Sequence, residues 1–142
     1  MDVKMTAAEM GAFLDQAFEQ VKGEFTIEHV APNHVTVRLN VQEKHLRPGG
    51  TVSGPSMFAL ADVSAYLVTM AMIGPEALAV TTNCSIDFMR KPASGVDLIA
   101  KVHLLKLGKQ LSVSDVMIYS DGLEAPVARA SLTYAIPPKK EI

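Results

Sequence analysis

Gly50-Thr51-Val52-Ser53-Gly54-Pro55-Ser56-Met57-Phe58-Ala59-Leu60-Ala61-Asp62 and its continuation Val63-Ser64-Ala65-Tyr66-Leu67-Val68-Thr69-Met70-Ala71-Met72-Ile73 form the stretch on which the fold turns. Pro55 has a fixed φ and no N–H to lose, so it suits a first helical position. From Pro55 to Ile73 the chain is apolar on every side, and Gly74-Pro75 ends the run. A helix apolar all round is buried in a large core or in a bilayer. The length would suit a bilayer, but Asp62 near the middle would cost roughly 2.5–3.5 kcal/mol on insertion. A core helix is the expectation, and no membrane partner is expected.

Upstream, His45-Leu46-Arg47-Pro48-Gly49-Gly50 joins Gly54 in a glycine-rich loop of special backbone geometry. Before it, Val35, Val37, Leu39 and Val41 alternate with Thr36, Arg38 and Asn40, and Phe25 to Val30 is rich in strand formers. The pair reads as an antiparallel hairpin turning at 31–34. Thr6-Ala7-Ala8-Glu9 is a capping box, and Met10, Phe13, Leu14, Phe18 and Val21 recur at helical spacing. That predicts an amphipathic helix of about four turns, ended by Gly23. Downstream, Thr81–Phe88, Leu98–Leu107, Leu111–Ser120 and Val127–Ile136 read as strands, with turns at 91–95, 108–109 and 120–122. The tail from Pro137 to Lys140 reads as solvated. The class is α+β, an antiparallel sheet around one apolar helix with a further N-terminal helix, in one domain over 1–142. Open sheet edges in such a fold call for pairing between subunits.

The chain of 142 residues has a formal net charge of −2 and no basic stripe, which argues against a nucleic-acid partner. Its one cysteine, Cys84, forms no internal disulfide, and the start of the chain lacks a leader pattern. Together these point to a cytoplasmic protein. In an alternating strand Cys84 reads as a small core residue. His29, His34, His45 and His103 lack metal-ligand spacing, so no metal is expected, and His45 is not read as catalytic.

Asp62 is the residue richest in chemistry. It lies too deep in the helix to cap it, no lysine or arginine shares the helix, and desolvation would make it a stronger base. The plain alternative is a structural Asp bonded to a neighbour such as Tyr66 or Thr69. Gly54 places an amide at the positive end of the helix dipole, where a developing oxyanion would be stabilised.

The stretch from Gly50 to Asp62 resembles the signature of the PaaI-like (phenylacetate-pathway-type) hot-dog thioesterases, in which a turn with glycine opens the central helix and Leu-Ala-Asp or Leu-Ala-Glu follows. Ala79–Asn83, Ser85–Arg90 and Leu104–Lys109 resemble that family's later strands, so the likeness runs from about His45 to about Tyr134. It implies a hot-dog fold, an acyl-CoA substrate and hydrolysis without a cofactor, the coenzyme A being part of the substrate. It implies Asp62 as nucleophile or general base and the Gly54 amide as oxyanion donor. Thr81 would position water or the carboxylate, and it could serve the Asp62 of a second subunit, because the family's sites lie at the interface of a homodimer or a dimer of dimers. Three positions depart from the pattern. Ser53 stands where most members have His, Pro55 replaces a glycine, and Arg47 replaces a side chain that holds the carbonyl or the water. Arg47 could donate to the thioester oxygen or pair with Asp62. Arg90, Lys91, Lys106 and Lys109, at strand ends, are candidates for the phosphates of coenzyme A. A non-catalytic acyl-CoA binding protein and an acyl-thioester hydratase or dehydratase are the rivals; the second wants a His where Pro48 stands.

Overall fold

A computed structural model describes residues 2–138; Lys139 and Lys140 of the expected tail lie outside the described residues. Helix α1 spans Ala7–Ala17 and opens with the expected capping box, Thr6 N–H to Glu9 at 3.0 Å and Glu9 N–H to Thr6 Oγ1 at 3.1 Å. It stops short of Gly23. Phe18 leaves helical geometry at φ −134°, and Glu19–Val21 form one 3-10 turn. Tightening the turn keeps Val21 on the core while the chain swings into the first strand.

The hairpin is β1 (Phe25–Ala31) and β2 (His34–Leu39), turning through Asn33 at φ 62°. The alternation continues to Val41, but β2 ends at Leu39, and the Val41 N–H goes to Asp97 Oδ1 at 2.9 Å instead. The apolar helix α2 spans Gly54–Ile73, one residue longer at its start than Pro55 suggested, because Ser53 is its cap: Ser53 Oγ accepts from the Ser56 N–H at 3.3 Å. Four strands follow: β3 (Val80–Phe88), β4 (Leu98–Leu107), β5 (Leu111–Ser120) and β6 (Pro126–Ala135).

The six strands make one antiparallel sheet in the order β1-β2-β4-β5-β6-β3. Its concave face, carrying Val35, Val37, Leu39, Ala100, Val102, Val116, Ile118 and Leu132, wraps α2, whose Leu60, Leu67, Val68 and Met70 are fully buried. Helix α2 is long and apolar enough to cross a bilayer, but 72% of that stretch is buried inside the fold. This is the hot-dog arrangement expected from the sequence. Thr69 Oγ1 meets Ser112 Oγ at 2.7 Å between helix and sheet, so both hydroxyls sit in the core with their hydrogen bonds met.

The glycine loop is a clamped structure. Arg47 N–H donates to Thr51 O at 2.8 Å, Gly50 N–H to Arg47 O at 3.0 Å, and Ser53 N–H to His45 O at 2.8 Å. Gly49 and Gly50 sit at φ 103° and 84°, which side chains rarely adopt. His45 is buried beneath the loop: its Nδ1 accepts from the Gln42 N–H at 2.9 Å, and its Nε2 donates to Glu24 at 2.8 Å. The histidine anchors the loop, in keeping with its reading as non-catalytic.

Candidate active site

Asp62 lies on α2 against strands β3 and β6 of the sheet. It is half-buried in this chain rather than enclosed, so the desolvation expected from the sequence is not supplied by one copy alone. Its Oδ1 accepts two hydrogen bonds, from Thr81 Oγ1 at 2.5 Å and from the Tyr134 hydroxyl at 2.8 Å; the same hydroxyl lies 3.0 Å from the Asp62 carbonyl oxygen. Neither Tyr66 nor Thr69 is its partner. Tyr66 donates to Ala77 O at 3.1 Å, and Thr69 donates to Ala65 O at 2.9 Å. Among the described residues no lysine, arginine or histidine pairs with Asp62. Its charge is felt nearby. Burial first, and then the Asp62 charge, push both the Cys84 thiol and the Tyr134 phenol above their ordinary values.

A β-bulge puts Thr81 in reach. Cys84 faces Leu132 and Asn83 faces Thr133, so unbroken alternation would set Thr82 opposite Tyr134 and turn Thr81 outward. The register shifts between Thr81 and Asn83, and Thr81 becomes the cross-strand partner of Tyr134. One extra residue thereby turns a hydroxyl from the solvent face to the helix. Within the chain, Thr81 bonds its own Asp62. Sequence reasoning misses Tyr134, because a tyrosine in an alternating strand reads as core.

Gly54 lies at the other end of β3. A Cβ there would sit 3.5 Å from the Phe88 ring, ordinary contact distance, and the backbone is not in the left-handed region. The glycine is therefore not required by the turn. Its N–H is the first of α2 and has no acceptor among the described residues. From Gly54 to Asp62 is about 12 Å along the helix axis at roughly 1.5 Å per residue, too far for both to touch one carbonyl group.

Ser53 is the helix cap, and Ser53 Oγ also lies 3.0 Å from Ser56 Oγ. Arg47 is exposed on the glycine loop and forms no ion pair with Asp62 among the described residues. The four cations do not form one patch on the chain. Arg90 and Lys91 follow the Phe88 end of β3, where Arg90 donates to Pro126 O, whereas Lys106 and Lys109 lie at the far end, beside Leu111 and Ala135. Cys84 is partly buried against the core, close to its reading as a small core residue.

The exposed middle of the edge strand is polar, with Thr82, Asn83, Ser85 and Asp87, while its ends carry exposed apolar residues. Leu78, Val80, Phe88, Met89 and Phe58 are exposed, Val80 by 56% and Leu78 by 76%. Among the described residues, the far edge of β3 has no strand beside it.

The model of the thioesterase superfamily matches residues 49–126, from the glycine loop to the start of β6. Human acyl-coenzyme A thioesterase 13 is 33% identical over 101 residues, covering 70% of each chain. A thioesterase-like protein from Silicibacter sp. TM1040 superposes with a TM-score of 0.91 at 58% identity, over 97% of this chain and 96% of that one. The chain belongs to the thioesterase superfamily, and it is a thioester hydrolase. Within that superfamily it is PaaI-like. A variant of the phenylacetic acid degradation protein PaaI from Thermus thermophilus matches with a TM-score of 0.71 at 26% identity, over 84% of this chain and 99% of that one.

Proposed function

We propose that the protein hydrolyses acyl-CoA thioesters at a site completed by a second copy of the chain, with Asp62 as its catalytic carboxylate. The observation that carries this reading is the state of Asp62, an aspartate at the edge of the fold held by two neutral hydroxyls and no cation among the described residues. Such a carboxylate is oriented without a counter-charge beside it. The name of the human relative supplies the acyl-CoA substrate class.

The unpaired edge of β3 supports the second copy. A two-fold axis beside β3 would pair it with its own copy in antiparallel fashion and bury Val80, Phe88 and Met89. In that arrangement the Phe88 end of one strand lies beside the Thr81 end of the other. Gly54 of one copy then approaches Asp62 of the other, and Arg90 and Lys91 of one copy join Lys106 and Lys109 of the other. The acyl chain runs into the apolar surface around Phe58, and the phosphates of coenzyme A meet the basic residues outside.

The Gly54 N–H, with Arg47 near it, receives the thioester oxygen as it becomes negative. Asp62 then takes a proton from water that attacks the carbonyl carbon, or attacks that carbon itself and is freed by water. In either case a C–O bond forms, the C–S bond breaks, and the coenzyme A thiolate leaves and takes up a proton. The residues that act are all side chains or amides of the protein, with no cofactor called for.

The test is thiol release from short-chain, long-chain and aromatic acyl-CoAs. Asp62→Asn should lower kcat by about 10³-fold with the melting temperature unchanged. Mixing inactive Asp62→Asn and Gly54→Val chains should restore about a quarter of wild-type activity, since mixed dimers hold one intact site. Full activity in Asp62→Asn would refute the role of Asp62. No recovery on mixing would overturn the site shared between two copies. Tight acyl-CoA binding without turnover by the wild type would leave a binding protein.

A further inference from the structure

We propose that Tyr134 is a positioning residue of this site: together with Thr81 it fixes Oδ1 of Asp62, so that Oδ2 is the oxygen presented to the reacting water or carbonyl carbon. The inference rests on the hydrolase reading above and assigns a role to a residue that the sequence motif does not contain.

Both donors converge on one oxygen. Thr81 Oγ1 and the Tyr134 hydroxyl reach Oδ1 at 2.5 and 2.8 Å, and among the described residues nothing donates to Oδ2. A carboxylate held by one oxygen through two donors has its plane fixed, which is what orientation in a reactive geometry requires. The donors are cross-strand partners on β3 and β6, brought opposite each other by the bulge after Thr81.

The tyrosine is held more firmly than the threonine. Tyr134 is only 4% exposed. Its ring packs at 5.9 Å from Tyr66, which stacks at 6.2 Å on Phe13 of α1. The phenol's one hydrogen is shared between Oδ1 and, slightly farther away, the Asp62 carbonyl oxygen, so side chain and helix backbone are held by the same group. Burial, reinforced by the Asp62 charge, pushes the phenol above its ordinary value near 10. It therefore stays protonated and acts as a donor at working pH. The N-terminal helix gains a part in this arrangement, since Phe13 backs Tyr66, which backs Tyr134.

The experiment compares wild type with Tyr134→Phe in steady-state thiol release from hexanoyl-, palmitoyl- and phenylacetyl-CoA, alongside a crystal structure of the variant. Phenylalanine keeps the ring packing and removes only the hydroxyl. The expected result is a kcat lower by roughly 10- to 100-fold, a KM within about twofold of wild type, and an Asp62 carboxylate turned from its wild-type orientation. A kcat within about twofold of wild type would overturn the proposal. So would a slow variant whose carboxylate has not moved, because the tyrosine would then act through the fold. If the wild type releases no thiol from any of the three substrates, the hydrolase reading fails. The crystal structure alone then decides: a displaced carboxylate keeps Tyr134 as the anchor of Asp62, and an unmoved one removes it.

Discussion

Asp62 and the carboxylates around Arg38 belong to the same fold and are held in opposite ways. Arg38, on β2, donates from Nε to Glu28 at 2.9 Å and from Nη1 to Asp97 at 3.1 Å and Asp121 at 2.8 Å. Those bonds, to Asp121 first and then Glu28 and Asp97, raise its already high pKa further. One cation thereby ties β1 to the segments that flank β4 and follow β5. The acids there are spent on structure. At the other side of the sheet, Asp62 is bonded by two hydroxyls that orient it without neutralising it. An acid on a cation fixes the chain; an acid on neutral donors retains a field, which the raised values of Cys84 and Tyr134 register.

That contrast can be broken by giving Asp62 a cation. Thr81→Lys removes a neutral donor and places an ammonium beside the carboxylate. It should lower kcat by roughly 10- to 100-fold while leaving the melting temperature equal to or above that of wild type, read from thiol release and thermal denaturation. The converse change sharpens the same contrast. Arg38→Met strands three carboxylates on a partly exposed surface and should cost about 1–2 kcal/mol in urea denaturation, with kcat unchanged.

The smallest effect is in acid. Burial opposes ionisation of Glu24, but hydrogen bonds from His45 and Lys44 outweigh it, and its pKa falls below the ordinary 4.5. A folded-state value below the unfolded one means that the stabilisation is complete above about pH 4.5 and is lost as the pH falls through the lower, folded value. The melting temperature of the wild type should therefore drop more steeply below that pH than the melting temperature of Glu24→Gln, in which the amide oxygen still accepts from His45. Equal slopes would show that the pair contributes nothing to acid sensitivity.

How much of this is legible in the sequence depends on whether the information is local. Helix α2 and strands β4 and β5 can be read within a residue of their ends, because an all-apolar run and stretches rich in strand formers are bounded by glycine and proline turns. Spacing alone makes helix α1 too long, since Phe18 and Val21 keep helical spacing while the backbone has already changed to a 3-10 turn. Asp62 stands out because an acid without a cation is conspicuous in an apolar helix. Its partners are less visible. Thr81 comes from family resemblance alone, and strand alternation would point it outward but for the bulge. Tyr134 lies far along the chain, and its role depends on a register no local pattern records. The cations look like one group in sequence order, yet the topology sends them to opposite ends of the sheet.

Helix α2 also bears on how the chain folds as it is made. Its twenty residues are complete at Ile73, and of the strands that cover it only β2 precedes it, while β4 to β6 are not finished until Ala135. A segment with the length and greasiness of a membrane span therefore leaves the ribosome well before most of its cover exists. The contacts that bury it are distant in sequence, a topology that folds slowly and exposes apolar surface on the way. The same helix that organises the finished sheet leaves the growing chain with uncovered apolar surface, most of all between the synthesis of α2 and that of β6.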